Sequence, residues 1–496
     1  LLTLVLLLLL TLHSLWSRHS LPPGPFPLPF IGNMIPLVIG HFEDQLHRWR
    51  DTYGEIFTVW IGPIPLVMVC SLTEMKRYFV DRADIFSNRW KNYVTDTFMG
   101  GHYGVVQVDG DKWREQRRFS LHLLRNFGMG RAEMEESILA ETNQLISFLE
   151  SSRDPLSLST PIAVCVGNVI NKILFGKTFP QGSEEMRQLH HLLDTQSTLV
   201  VHPLMGLYIA LPCTTHIPFI NGPWKTLLKQ RDSFWRFLGD QVEDHKRRFV
   251  EGNYEVNFTF SYLEEMRRRE EGGIEMGSFS DWQLRMLLLD LFFAGMETTV
   301  TTLKWAFLLM AAHPEVQEGV QRELDSIECI EGEGCVTLRD RKNLPYTNAT
   351  ICEIQRIANI LPINLLRSVS SDAQEGAFFY REGTMIIPQI SMLLSDPRVW
   401  ENPKEFNPSR FLEEDGVTLK RIPEFIPFSI GKRQCLGESL ARAELFLIFT
   451  NVLKRLRIET HSGLSRYRPL GLTVSPLPYK VSVSRRKKDS NSNSLS

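Results

Sequence analysis

Apolar residues recur at three-and-four spacing along five stretches, 134–150, 224–250, 281–312, 314–328 and 345–360, and that period predicts five helices with a buried face. Pro314, directly after His313, ends one of them and opens the next, because proline fits the first turn of a helix and breaks an interior. Two short β-branched runs, IFTVWIG at 56–62 and PLVMVCS at 65–71, flank a Gly-Pro turn and predict a hairpin. Two more strand-like segments, GLTVSP at 471–476 and YKVSVS at 479–484, lie near the end. From 43 to 211 the pattern is otherwise mixed. No repeat or linker interrupts 21–484, so the expected fold is mainly α: a single large helical domain with a small β-sheet region.

At 496 residues, 43% hydrophobic and 23% charged, the chain can bury a large core. A formal net charge of -2 offers no global field for nucleic acid, which is not an expected partner. The seven cysteines (70, 165, 213, 329, 335, 352, 435) are scattered and odd in number, which fits a reducing compartment better than a disulfide framework or a zinc site. Residues 1–20 begin with an apolar run through Leu12 and turn aromatic and basic at Trp16 and Arg18. The run is shorter than the roughly 20 residues of a spanning helix, and the sequence does not begin with Met. A cleaved signal peptide is one reading. Against it, a proline-stiffened hinge, LPPGPFPLPFIGN at 21–33, follows in place of a small-x-small cleavage site. The expectation is an uncleaved anchor at 1–20, with Arg18 and His19 holding the body in the cytosol. The sequons at Asn257 and Asn348 would then stay unused. A basic, disordered tail is expected at 485–496.

The densest chemistry sits in FSIGKRQCLGESLARAEL, 428–445. Gly431 and Gly437 permit close backbone approach or positive φ, and a helix starting near Gly437 aims its free amides at Cys435. Those amides, with Lys432 and Arg433 alongside, favour a thiolate. A lone cysteine is usually structural, but a lone thiolate in such a loop suits one axial position on an iron porphyrin better than zinc. Two other segments are ambiguous taken singly. Glu353 and Arg356 form E-x-x-R on one helical face, as many solvated pairs do. In DLFFAGMETTVTTLKWAF, 290–307, five β-branched residues run from Thr298 to Thr302 beside Gly295, a local conflict with the helical period. Ala294, Glu297 and Thr298 share a face there, and a threonine hydroxyl that gives up its backbone bond can open the helix and hold water or dioxygen.

F-x-x-G-x-R-x-C-x-G, read on Phe428, Gly431, Arg433, Cys435 and Gly437, resembles the haem-binding signature of the cytochrome P450 monooxygenases. The hinge and the 290–307 segment look most like the microsomal family 2 branch of animals, and the likeness spans nearly the whole chain. The resemblance implies haem b with Cys435 as axial thiolate. It implies a buried network of Glu353 and Arg356 with Arg410 of FNPSRF, and a distal helix in which Ala294 lies over the haem, Thr298 hydrogen-bonds dioxygen and Glu297 relays protons. W-x-x-x-R at Trp113 and Arg117 would hold the haem propionates with Arg433 and Arg367. Gly101 stands where relatives often carry another propionate-binding Arg, and His102 is its nearest substitute.

The implied activity is insertion of one oxygen atom from O2 into a lipophilic small molecule: a xenobiotic, fatty acid or steroid. An NADPH-dependent reductase, with cytochrome b5 as a further partner, would dock on Lys112, Arg114, Arg118, Arg125 and Lys432. The implied location is the endoplasmic reticulum membrane, with lipid around the anchor and the catalytic domain on the cytosolic side. Two other classes stay open: a haem-thiolate isomerase that needs no reductase, and a haem sensor or carrier without turnover. The expected pocket draws on 98–106, 198–207, Phe292, Phe293, Met296, 361–365 and 470–472.

Overall fold

A computed structural model describes residues 19–486 apart from 29–30, 40–41, 128–131, 153–154, 328–335 and 461–470. The expected anchor and tail lie almost wholly outside the described residues, as do Cys329, Cys335 and Leu470.

Among the helices of the described residues, nine bear on the site and its support: α1 Gly110–Asn126, α2 Ala132–Ser151, α3 Ser159–Phe175, α4 Glu184–Val200, α5 Gly222–Val250, α6 Asp281–Ala312, α7 Pro314–Asp325, α8 Pro345–Ala358 and α9 Glu438–Arg455. The five stretches with clear helical period appear as α2, α5, α6, α7 and α8. Helix α6 is the axle. Ser280 caps it by accepting from the Gln283 amide, and the His313-Pro314 step ends it after 32 residues, about 48 Å. Apolar residues surround it on nearly every side, so although it is long and apolar enough to cross a membrane, most of it is buried inside the protein. Helix α3 lies tightly against it: a Cβ added at Gly295 would stand 3.0 Å from the Ile170 side chain. Helix α9 packs on the other side, with Phe307 and Phe449 stacked at 6.2 Å.

The sheet elements are small. Strands β1 Ile56–Ile61 and β2 Ile64–Val69 form the expected antiparallel hairpin, Ile56 opposite Val69. With β3 Asn88–Arg89, β4 Arg367–Ser368 and β7 Met385–Pro388 they make a five-stranded sheet ordered β1-β2-β7-β4-β3. Strands β5 Ala373–Glu375 and β6 Phe378–Tyr380 pair separately, as do β8 Leu456–Glu459 and β9 Ser482–Arg485. The second late segment therefore becomes strand in part. The first does not: 471–476 is a loop whose amides bond to the ends of other elements, Leu472 N–H to the Ser197 carbonyl and Val474 N–H to that of Ile360. Alternation alone cannot supply a neighbouring strand to pair with. Helices α1, α3 and α4, within the mixed region, were not legible from the period. Helix α3 is buried on almost every side, so it carries no polar face to mark a phase.

Candidate functional site

The Cys435 loop is built by close backbone contact. Gly431 has φ +78, and a Cβ there would sit 1.9 Å from the Phe79 carbonyl oxygen, so only glycine fits. The Cys435 amide donates to the Phe428 carbonyl at 3.0 Å, and Gly437 then caps α9. A Cβ on Gly437 would meet no protein atom within 4 Å. Cys435 is surface-accessible, yet neighbouring atoms crowd out much of its hydration, and that burial pushes its thiol up. The Gly437 amide opposes the shift, as do the guanidinium groups of Arg117 and Arg442. Lys432 and Arg433 are not the cations that act on the sulfur. Lys432 is exposed, and Arg433 turns the other way, donating to the carbonyls of Ser87 and Val108 and to Asp109 Oδ1 at 2.6 Å.

That turn brings Arg433 into a cluster of buried cations. Arg89, Arg367 and Arg433 are all nearly inaccessible. Burial, followed by mutual repulsion, holds Arg367 well below the ordinary arginine range and Arg433 down to about 9. Arg89 falls to about 10, its burial only partly offset by Asp109 and Asp290. Guanidinium does not readily give up its proton, so the cluster is a store of under-compensated positive charge. Its unused donors are specific: Arg367 Nε and Nη1, Arg433 Nη1 and Trp113 Nε1 are buried with no hydrogen-bond partner. The Arg433 guanidinium lies 4.0 Å from the Trp113 ring, and Arg117 lies 5.7 Å from the same ring while donating to the Gln434 carbonyl. Orphaned donors on a desolvated cationic wall beside an accessible sulfur suit an anionic group that reaches both, as the two propionates and the iron of haem do.

Arg89 was not legible beforehand; in FSNRWKN nothing distinguishes it from a solvated strand residue. His102 does not join the cluster. It is exposed and pairs with Asp96 at 3.3 Å.

On α6, Ala294 is exposed and Thr298 half-buried, one turn apart. The Thr298 hydroxyl keeps its backbone bond, donating to the Ala294 carbonyl at 2.8 Å. Helix α6 runs unbroken through this turn, and the hydroxyl has not given up the backbone bond whose loss could open it. Glu297 does not share their face. It is 2% exposed and turned toward α4, with Oε1 accepting from Thr473 at 2.8 Å and Thr301 at 3.4 Å. Burial raises its carboxyl, and Asp194 pushes the same way. Phe292 and Met296, expected in the pocket, belong to the packed core, Phe292 against Phe237 with ring centroids 6.1 Å apart. Phe293, unlike them, is left partly open. The loop opposite is fixed by Asp290, whose Oδ2 accepts from the amides of Val105 (2.6 Å) and Val106 (2.9 Å).

Beneath the site, Glu353 and Arg356 are buried and joined bidentately at 2.6 and 2.7 Å, and Arg410 reaches Glu353 at 3.1 Å. Arg356 also donates to the carbonyls of Leu394, Pro403 and Glu405. The ion pair thereby clamps the irregular chain that leads toward the cysteine loop.

A family model described as Cytochrome P450 matches residues 22–483. Cytochrome P450 2J5 of Mus musculus is 34% identical over 482 residues, covering 96% of this chain and 94% of that protein. Cytochrome P450 2A13 of Homo sapiens is 36% identical over 479 residues, covering 95% and 93%. Cytochrome P450 2B4 of Oryctolagus cuniculus is 36% identical over 455 residues, covering 91% of each. With this coverage the chain belongs to the cytochrome P450 family, the haem-thiolate monooxygenases that carry haem b on a cysteine.

Proposed function

We propose that this protein inserts one oxygen atom of O2 into a lipophilic small molecule, drawing electrons from an NADPH-dependent reductase. The observation that carries the reading is the pairing of accessible Cys435 with the orphaned donors of Arg367, Arg433 and Trp113. Haem b held there supplies the oxygen-activating chemistry, with a thiolate that favours O–O cleavage.

The chain's own residues do the rest. Cys435 would hold the haem iron, and the Gly437 amide favours its thiolate. Arg367, Arg433, Trp113 and Arg117 hold the propionates. Ala294 would leave room on the side opposite the sulfur and Thr298 would offer a hydroxyl there. Glu297, whose carboxyl is held by Thr473 and Thr301, would be the acid behind that face from which protons are drawn. Phe428 packs under the Arg442 guanidinium at 4.7 Å and shields the sulfur side. Glu353, Arg356 and Arg410 keep the loop in place. A buried acid beside a hydroxyl favours oxygenation over peroxide isomerisation, which consumes no protons, and over a carrier, which has no use for them.

The partly open residues around the site are chiefly apolar, Phe293, Val106, Ile363 and Leu365 among them, which supports a xenobiotic, fatty acid or steroid substrate. Arg118, Arg125 and Lys432 are exposed cations available to a reductase, whereas Arg114 is paired with Asp111 and Lys112 donates to the His102 carbonyl. Exposed Phe26, Leu28 and Ile31, together with Leu211, Ile217 and Phe219, support contact with lipid of the endoplasmic reticulum in addition to an anchor at 1–20.

The test is spectral and catalytic. Reduced protein under carbon monoxide should show the red-shifted band that names the family, and Cys435→Ser should lose it. Wild-type protein with reductase should consume NADPH and form product from ligands that first give a high-spin shift. A Cys435→Ser variant with unchanged spectrum and turnover contradicts the assignment.

A further inference from the structure

The Glu297 carboxyl is reached from the protein side by hydroxyl groups that the reading above leaves without a role. Thr473 Oγ1 donates to Glu297 Oε1 at 2.8 Å, and the Ser197 hydroxyl lies 2.9 Å from Thr473 Oγ1. Thr473 has one hydroxyl hydrogen, and Oε1 receives it when the acid is ionised, so Ser197 must be the donor of the second bond. In that ionised state the chain runs from Ser197 through Thr473 to Glu297. Both hydroxyls are buried, Ser197 at 2% and Thr473 at 5% exposure. Their placement does not depend on the hydroxyl bonds alone. The loop is pinned to α4 by the Thr473 amide on Ser197 Oγ (3.1 Å) and the Leu472 amide on the Ser197 carbonyl (2.9 Å).

Asp194, exposed, stands one turn before Ser197 on α4, and its charge already acts on Glu297. The other ionisable groups at this junction are Lys304 on α6 and His190 on α4. Burial lowers both, and each is near enough to feel the other's charge or that of Asp194. Hydrogen bonds join none of these three to Glu297 among the described contacts, whereas Thr473 and Ser197 form an unbroken pair.

The geometry points to Ser197 and Thr473 as the relay that reprotonates and positions Glu297 from the α4 surface during each turnover. This inference rests on the monooxygenase reading for its purpose. When Glu297 gives up a proton toward the pocket, Thr473 passes its hydroxyl proton to Oε1 and takes that of Ser197. Ser197 takes one in turn from water on the Asp194 side. One proton moves inward, each hydroxyl ends as it began, and no electrons change hands. Thr473 and Ser197 are positioning residues, since neither touches the reacting atoms.

The test compares Thr473→Val, Thr473→Ser and Ser197→Ala in the full-length, haem-loaded protein. Thr473→Val keeps the shape and the backbone bonds that pin the loop, and loses only the hydroxyl. It should lower product formed per NADPH by about tenfold, at the low end of what proton delivery contributes, with peroxide released instead and a larger solvent deuterium isotope effect. Ser197→Ala should follow it, and Thr473→Ser should recover wild-type values. A second readout needs no turnover. The infrared carbonyl band of protonated Glu297, identified by its loss in Glu297→Gln, should move in Thr473→Val and take up deuterium more slowly from D2O. Equal isotope effects and band positions in wild type and Thr473→Val overturn the relay. A wild-type protein that oxygenates nothing overturns the monooxygenase reading instead, and the infrared comparison then decides whether the hydroxyls feed Glu297.

Discussion

Thr299 on α6 donates to Glu444 on α9 across 3.2 Å, and this is the one hydrogen bond the Glu444 carboxyl receives among the described residues. Its other oxygen, Oε1, is buried without a partner. Burial without a cation pushes the Glu444 carboxyl up to about 8, and the Thr299 hydroxyl offsets only part of that. The acid is therefore neutral in the folded protein at pH 7, a protonated joint between the two central helices.

A stability prediction follows with a definite sign. The folded value is raised above the unfolded value near 4.5, so the folded state binds the extra proton between pH 4.5 and 8. Stability is fully present below pH 4.5 and is lost as pH rises through 8, by up to about 5 kcal/mol for this group alone. Glu444→Gln keeps the shape and removes the titration. Its unfolding midpoint in denaturant should match wild type near pH 5 and exceed it at pH 8.5. Parallel pH dependence in the two proteins would show that Glu444 ionises freely.

Arg367 gives a prediction in which loss of function and gain of stability go together. Nε and Nη1 are orphaned, while Nη2 donates to the Ile430 carbonyl at 3.0 Å. A buried cation short of partners costs several kcal/mol in desolvation. Arg367→Met should therefore make the haem-free protein melt higher, and make the loaded protein release haem faster to an acceptor globin. A variant that melts lower without haem and holds haem as tightly as wild type would remove Arg367 from the propionate site.

How much of this was legible in the sequence depends on how local the cause is. The end of helix α6 is readable to the residue because its stop, Pro314 after His313, is a local signal. The Gly431 requirement was readable as a type of need, though its cause, the Phe79 carbonyl, comes from far away in the chain. Arg89 was invisible because a short strand carries no sign of which other arginines will surround it. The direction of the Glu297 carboxyl is not legible from spacing. Helical spacing places Glu297 beside Thr298, whereas the carboxyl accepts from a hydroxyl of the 471–476 loop, which comes from far away in the chain. The same loop looked like a strand for want of any local signal that it would pair with helix ends.

Asp290 fixes the 104–106 loop by accepting two amides on one oxygen, and a Cβ at Gly104 would come within 2.2 Å of that oxygen. Burial raises the carboxyl to about 6 in spite of those bonds. Asp290→Ala strands both amides, at about 1–3 kcal/mol each if they stay buried. Hydrogen exchange at Val105 and Val106 should accelerate about tenfold or more in Asp290→Ala and much less in Asp290→Asn, which keeps an acceptor. Exchange unchanged in the alanine variant would mean that the loop is held by Gln283, which bonds both polar atoms of the Gly104 backbone.

Glu353 offers the sharpest separation of charge from shape. It is fully buried and accepts from Arg356, Arg410 and the Asn407 amide. Removing one partner of a buried ion network leaves the others uncompensated and costs about 3–5 kcal/mol. Glu353→Gln keeps the volume and an acceptor but loses the charge, and still strands two guanidinium groups. It should lower the unfolding free energy nearly as far as Glu353→Ala and deplete haem on expression. The double variant Glu353→Leu/Arg356→Leu removes the uncompensated cation at the centre and should recover part of the stability. It should not recover haem, because Arg356 also ties down the carbonyls of Leu394, Pro403 and Glu405, and with them the path of the chain toward Cys435. Stability and haem content returning together would mean that the network acts through global folding alone, and that its grip on the loop is incidental.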